Sequence, residues 1–113
     1  MRGLAIIVAS FLIWAHVGLA PAQQPAPDAL PTTVEGVVRD IIAQLSADDR
    51  ARIKSTRKEH LIKFHHGWGT GIRNRYGLWG DNTKLLHAAC GKPCHPDEAS
   101  MIIIEAVWAA LQK

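Results

Sequence analysis

The sequence predicts a small all-α domain of four to five short helices around an apolar C-terminal helix. Three observations predict it. Apolar residues recur at spacings of three and four from Val34 to Leu45, which is the period of one helix face. Capping residues stand ahead of such stretches at Thr32, Ser46, Thr56 and Asn82, where a side-chain oxygen can accept from a free first-turn amide. Between Ala99 and Leu111 only Ser100 and Glu105 are polar, and a helix apolar on nearly every side is normally surrounded by others.

The N-terminus reads differently. Met1-Arg2 precedes Leu4–Ala15, a run whose one polar residue is Ser10, and Ala20-Pro21-Ala22 follows. A basic start, an apolar run and a small-x-small site predict a secretory signal over residues 1–22, cleaved after Ala22. The alternative is an uncleaved anchor, but the 17 residues from Leu4 to Ala20 sit at the short edge of the ~20 that span a bilayer. No stable membrane span is expected after cleavage. No cysteine precedes position 90, which excludes a lipid anchor on an N-terminal cysteine. The protein is therefore expected to be exported, periplasmic or secreted. Three prolines in residues 23–31 predict an extended linker, followed by one domain over residues 32–113.

The 113-residue chain is 48% hydrophobic and 20% charged, which excludes a wholly disordered or collagen-like chain. Residues 23–113 carry 12 basic and 10 acidic side chains, a net charge of +2. That surplus is too small to imply nucleic acid. An oxidising compartment makes the two cysteines candidates for a disulfide.

Each helix has its own signal. Thr32-Thr-Val-Glu35 is a capping-box pattern, and Val34, Val37, Val38, Ile41, Ile42 and Leu45 form the apolar face behind it. Ser46-Ala-Asp-Asp49 restarts the chain in a short helix through Ile53. Thr56-Arg-Lys-Glu59 reads as a third capping box, opening a longer stretch with Leu61, Ile62, Phe64, His65, Trp68 and Ile72. Asn82 caps a short helix over Thr83–Ala89. The last helix begins at His95-Pro96-Asp97. Proline lacks an amide that would be unpaired there anyway, and acids suit the positive end of the helix dipole.

The run Ile72-Arg-Asn-Arg-Tyr-Gly-Leu-Trp-Gly-Asp-Asn82 follows Phe64-His-His-Gly-Trp-Gly-Thr-Gly71 and precedes His95-Pro-Asp-Glu-Ala-Ser-Met-Ile-Ile-Ile-Glu-Ala-Val-Trp108. Together these runs resemble a small bacterial domain family of unknown function. Its pattern is roughly Ile-Arg-Asn, x, x, Gly-Leu-Trp-Gly, x, Asn, followed by His-Pro-Asp, x, Ala-Ser. The resemblance covers about residues 30 to 112, nearly all of the chain beyond the signal. It implies a domain and contributes no mechanism. Cys90 falls where that family often has a cysteine, whereas Cys94 is an addition in this chain.

Several segments carry chemistry. Gly67-Trp-Gly-Thr-Gly71 matches neither phosphate-loop fingerprint. Its glycines serve either close helix packing around Trp68 or a ligand surface, and packing is the better supported reading. Gly77-Leu-Trp-Gly80 reads as a turn from which Trp79 folds back on the core. Arg73, Asn74 and Arg75 precede it. They either bind an anion or tie off loop backbone, and backbone service is the commoner role. Eight basic residues and one acid lie between Arg50 and Arg75. This is either a solvated face or a surface for an anionic envelope component.

His87-Ala-Ala-Cys90-Gly-Lys-Pro-Cys94-His95 is the densest segment. Three readings compete: a Cys90–Cys94 disulfide, a metal site of His87, Cys90, Cys94 and His95, and haem attachment through C-x-x-x-C-H. An exported compartment favours the disulfide. The spacing fits no standard zinc pattern and is one residue too long for haem. No cofactor is expected. His65-His66 lacks a third ligand at a supporting spacing, and no nucleophile–base–orienter set is present. The expected function is a non-enzymatic binding module. It would meet an envelope protein or anionic envelope component through Trp68, Arg73, Asn74, Arg75 and Trp79. The alternative is a redox or metal protein centred on Cys90–His95.

Overall fold

A computed structural model describes residues 30–113. Residues 1–22, read as a signal, and nearly all of residues 23–31, read as a linker, lie outside the described residues. Six helices are present, with no strand among the described residues: α1 (Val34–Gln44), α2 (Ala47–Ser55), a 3₁₀ helix (Lys58–Phe64), α3 (Trp68–Arg75), α4 (Thr83–Cys90) and α5 (Pro96–Leu111). The all-α reading holds. No helix among the described residues is long and apolar enough to cross a membrane.

The caps set the boundaries. α1 begins one residue later than the capping box predicts, because Thr33 rather than Thr32 is the cap. Its hydroxyl accepts from the Gly36 amide at 3.1 Å. A Cβ on Gly36 would stand 3.0 Å from that hydroxyl and 3.2 Å from Pro31 Cβ, so the missing side chain of Gly36 makes room for the cap. Ser46 caps α2 by accepting from Asp49 at 3.0 Å.

Thr56 overturns an expectation. It does not open a helix. It ends α2, and its hydroxyl donates back to the Arg52 carbonyl at 2.7 Å. The Thr56 carbonyl accepts from Trp108 Nε1 at 2.8 Å, which ties the end of α2 to α5. The predicted long stretch therefore splits into two pieces. In the 3₁₀ helix, Leu61 and Phe64 are the buried residues, and their spacing of three suits three residues per turn. α3 follows after Gly67.

α3 closes on Gly77, which takes φ 69°, a left-handed conformation that favours glycine. The Leu78 amide then reaches back to the Arg73 carbonyl at 3.1 Å. Asn82 locks this turn. It caps α4 by accepting from Leu85 at 3.3 Å, and its Nδ2 donates to Tyr76 O at 3.0 Å and Pro31 O at 2.9 Å. Gly91, also at φ 69°, ends α4. His95 caps α5, with Nδ1 accepting from the Asp97 amide at 3.1 Å.

α5 is the centre, as its composition predicts. It packs against each of the other five helices. Ala99, Ile103, Ile104 and Val107 are fully buried, surrounded by Val37, Leu61, Ile72, Tyr76, Leu78 and Leu85. The end of α5 that carries His95 and Asp97 meets α3, and the candidate site lies at that junction.

Candidate functional site

The site is organised by a buried arginine. Arg73 projects from α3, and its guanidinium donates to Ser100 Oγ of α5 at 2.8 Å, Thr70 Oγ1 at 2.8 Å and the His65 carbonyl at 3.2 Å. Its Nε faces Asp97 Oδ1 at 3.4 Å. The side chain is 6% exposed, while Asp97 is 46% exposed. A buried cation thus sits under a carboxylate that opens to solvent. Gly69 makes the space. A Cβ there would lie 3.1 Å from Arg73 Nη1, 3.3 Å from the Phe64 carbonyl and 3.6 Å from Ile104. Of the glycines at 67, 69 and 71, this one serves close packing; nothing lies within 4 Å of a Cβ at Gly67 or Gly71.

Two histidines flank the same carboxylate. His65 Nε2 lies 3.8 Å and His95 Nδ1 3.7 Å from Asp97 Oδ2. His65 Nδ1 is buried without a hydrogen-bond partner. His66 packs edge-on against His65, with ring centroids 5.0 Å apart. The short α5 cap and the 3₁₀–α3 junction therefore bring Arg73, Asp97, His65 and His95 to one point.

Trp79 forms the outer wall. It does not fold back on the core as the turn motif suggests; Leu78 is buried in its place, and Trp79 is 58% exposed. The indole is nevertheless held. Nε1 donates to Asn74 Oδ1 at 3.0 Å, the His95 ring meets it edge-on at 5.9 Å, and the Arg73 guanidinium stands 6.0 Å from its centroid. Two of the three sequence runs that carry the resemblance, Ile72–Asn82 and the start of the run from His95, thus meet in space.

The other candidates divide. Trp68 and Arg75 lie on a different side of α3. Trp68 is half-buried against Phe64 at 5.6 Å, between shallow grooves lined by Arg52 and Ile53 on one side and Ile41, Arg75 and Tyr76 on the other. Arg75 pairs with Asp40 at 3.7 Å, and the Tyr76 hydroxyl donates to the same carboxylate. Burial first, and then the Asp40 carboxylate, pushes the Tyr76 phenol up to about 12. The basic stretch is largely engaged within the fold. Arg50 donates to Ile42 O, Arg52 faces Asp49, Arg57 faces Glu59, and Arg73 and Arg75 are paired as described.

Cys90 and Cys94 are joined in a disulfide, with Cα atoms 6.2 Å apart. The four-residue metal set is not gathered. The ligating atoms that come within 4.8 Å of one another belong to Cys90, Cys94 and Glu98, while His87 and His95 stand outside that group. His95 is instead engaged as a helix cap and against Trp79.

Sequence reasoning missed Asp97, His65 and Ser100 as members of one site. Asp97 carried only a helix-dipole signal. Ser100 did carry one: with Glu105 it is one of two polar residues between Ala99 and Leu111, it is fully buried, and burial without a partner would be costly.

A family model described as a domain of unknown function, DUF6794, matches residues 30–111. No curated protein and no solved structure matches the chain.

Proposed function

Because the chain belongs to the DUF6794 family, whose description assigns no activity, we propose a function from its surface: an exported, non-enzymatic binding module that docks an envelope partner on the Trp79 platform. One observation carries the reading. Trp79 is 58% exposed yet fastened by Asn74, His95 and Arg73. Leaving an indole in water forgoes the ~1.5–3 kcal/mol that burying a large apolar side chain contributes. Immobilising it adds an entropic cost. Neither feature helps the fold. Both help a binding surface, where a pre-ordered tryptophan is a typical hot spot. An envelope protein is the favoured partner class, since the charged group that opens to solvent beside the indole is the Asp97 carboxylate, while the Arg73 guanidinium is buried. Export rests on the signal-like residues 1–22, and a mature chain beginning at Gln23 is its expected mark.

The test compares wild type, Trp79→Ala and Ile62→Ala, the last removing a second exposed apolar side chain, 63% accessible. Each is immobilised and challenged with solubilised envelope fractions at low and high salt. Trp79→Ala should lose the bound material at unchanged melting temperature, while Ile62→Ala retains it. Equal capture by Trp79→Ala and wild type would remove the proposal.

A further inference from the structure

Away from Trp79, three metal-ligating side chains converge. The Sγ atoms of Cys90 and Cys94 and a carboxylate oxygen of Glu98 lie within 4.8 Å of one another. Cys90 is the last residue of α4, Cys94 lies in the connection, and Glu98 stands in the first turn of α5. We infer that the Cys90–Cys94 disulfide masks a site for a borderline divalent cation, Zn²⁺ above all, which opens when that bond is reduced and uses Cys90, Cys94 and Glu98 as its protein ligands.

Donor chemistry and geometry both support the site. Thiolates with one carboxylate suit Zn²⁺ and disfavour the hard cations that prefer all-oxygen shells. The cysteine Cα atoms are 6.2 Å apart. After reduction the two sulfurs need to settle only about 3.8 Å apart to share a tetrahedral zinc at ~2.3 Å each. The backbone that sets this spacing is anchored on both sides, by the left-handed Gly91 at the end of α4 and by the His95 cap of α5. Both cysteines are half-buried and Glu98 is exposed, so the thiols are screened and the carboxylate opens an entry path. Glu98 has no basic partner among the described residues and is free to turn toward a cation. Three protein ligands leave the fourth position to water.

The chemistry balances. A dithiol reductant gives two electrons and two protons to the Cys90–Cys94 bond. Its own disulfide forms, and Cys90 and Cys94 emerge as thiols. Binding of the divalent cation then displaces both thiol protons, because the thiolate is the ligand. A disulfide oxidant reverses the sequence: it takes two electrons from the two thiolates, the Cys90–Cys94 bond re-forms, the oxidant takes up two protons and leaves as thiols, and the divalent cation is released.

The test uses the whole protein, reduced with a dithiol under anaerobic conditions, freed of reductant and titrated with Co²⁺ and Zn²⁺. Far-UV circular dichroism is recorded throughout. One Co²⁺ per chain should bind with a thiolate-to-cobalt charge-transfer band, and Zn²⁺ should displace it. The oxidised protein should show no band. Cys90→Ser and Cys94→Ser should each abolish it. Glu98→Gln should weaken binding at least ~10-fold, the lower range for disturbing a metal's ligand environment. Glu105→Gln, an exposed acid on the same helix, should not. The inference fails if reduced protein binds no Co²⁺. It fails if oxidised protein binds equally, or if Glu98→Gln matches Glu105→Gln, which would mean loose chelation by two thiols alone. Loss of helix on reduction that the metal does not restore also overturns it.

Discussion

Arg73→Ala tests whether the junction between α3 and α5 is held as described. The substitution deletes three hydrogen bonds, to Ser100, Thr70 and the His65 carbonyl, and the pairing with Asp97. Removing one member of a buried ion pair costs ~3–5 kcal/mol. Asp97 is 46% exposed, so its carboxylate regains water and the loss falls to the lower part of that range, about 3 kcal/mol. A domain this small starts near the lower end of the usual ~5–15 kcal/mol, so the variant should be severely destabilised. The assay is urea unfolding followed by tryptophan fluorescence and circular dichroism, with a lower midpoint and an unchanged slope. Arg73→Lys keeps the charge but loses the planar fork, and should fall between Arg73→Ala and wild type. A loss under about 1 kcal/mol for Arg73→Ala, the scale of one ordinary hydrogen bond, would refute the reasoning. So would a lysine variant as stable as wild type.

Two further outcomes follow from burial. The chain has one tyrosine, so absorbance near the phenolate band reports Tyr76 alone. Its phenol should ionise at about 12 in the folded protein, raised by burial and by Asp40 against the opposing pull of Arg75. The folded value lies above the unfolded ~10, so this contribution to stability is complete below pH ~10 and is lost as pH climbs toward the folded value. Tyr76→Phe should abolish that loss, and a phenol titrating near 10 in folded protein would contradict it. Ile103 is 0% exposed in the central helix, so Ile103→Ala should cost ~2–5 kcal/mol. An unchanged denaturant midpoint would contradict its central place.

The fold was legible where a local signal and the tertiary demand agree. Ser46, Asn82 and His95-Pro96 start helices because each places an oxygen or nitrogen acceptor, or a missing donor, where first-turn amides need it. The central place of α5 was legible from its apolar sides. Thr56 was misread because threonine can also bond back to a carbonyl four residues earlier, and nothing local decides between the two. The tie from Trp108 to the Thr56 carbonyl crosses 52 residues, and no window along the chain contains it.

The site was half legible for the same reason. Arg73, Asn74 and Trp79 stand within seven residues, so one motif exposed them together. Asp97 and Ser100 join them only because α5 runs past α3. The predicted choice between an anion site and backbone service proves too narrow for Arg73. It binds a backbone carbonyl, two hydroxyls and the protein's own carboxylate. That internal anion uses the guanidinium that an external one would need. The consequence runs through to function. Arg73 is committed to holding α3 against α5, and the groups left to meet a partner are those it supports: the Trp79 indole, the Asn74 amide and the solvent-facing edge of Asp97. Substitutions at Arg73 should therefore perturb stability and binding together, whereas Trp79→Ala should separate them.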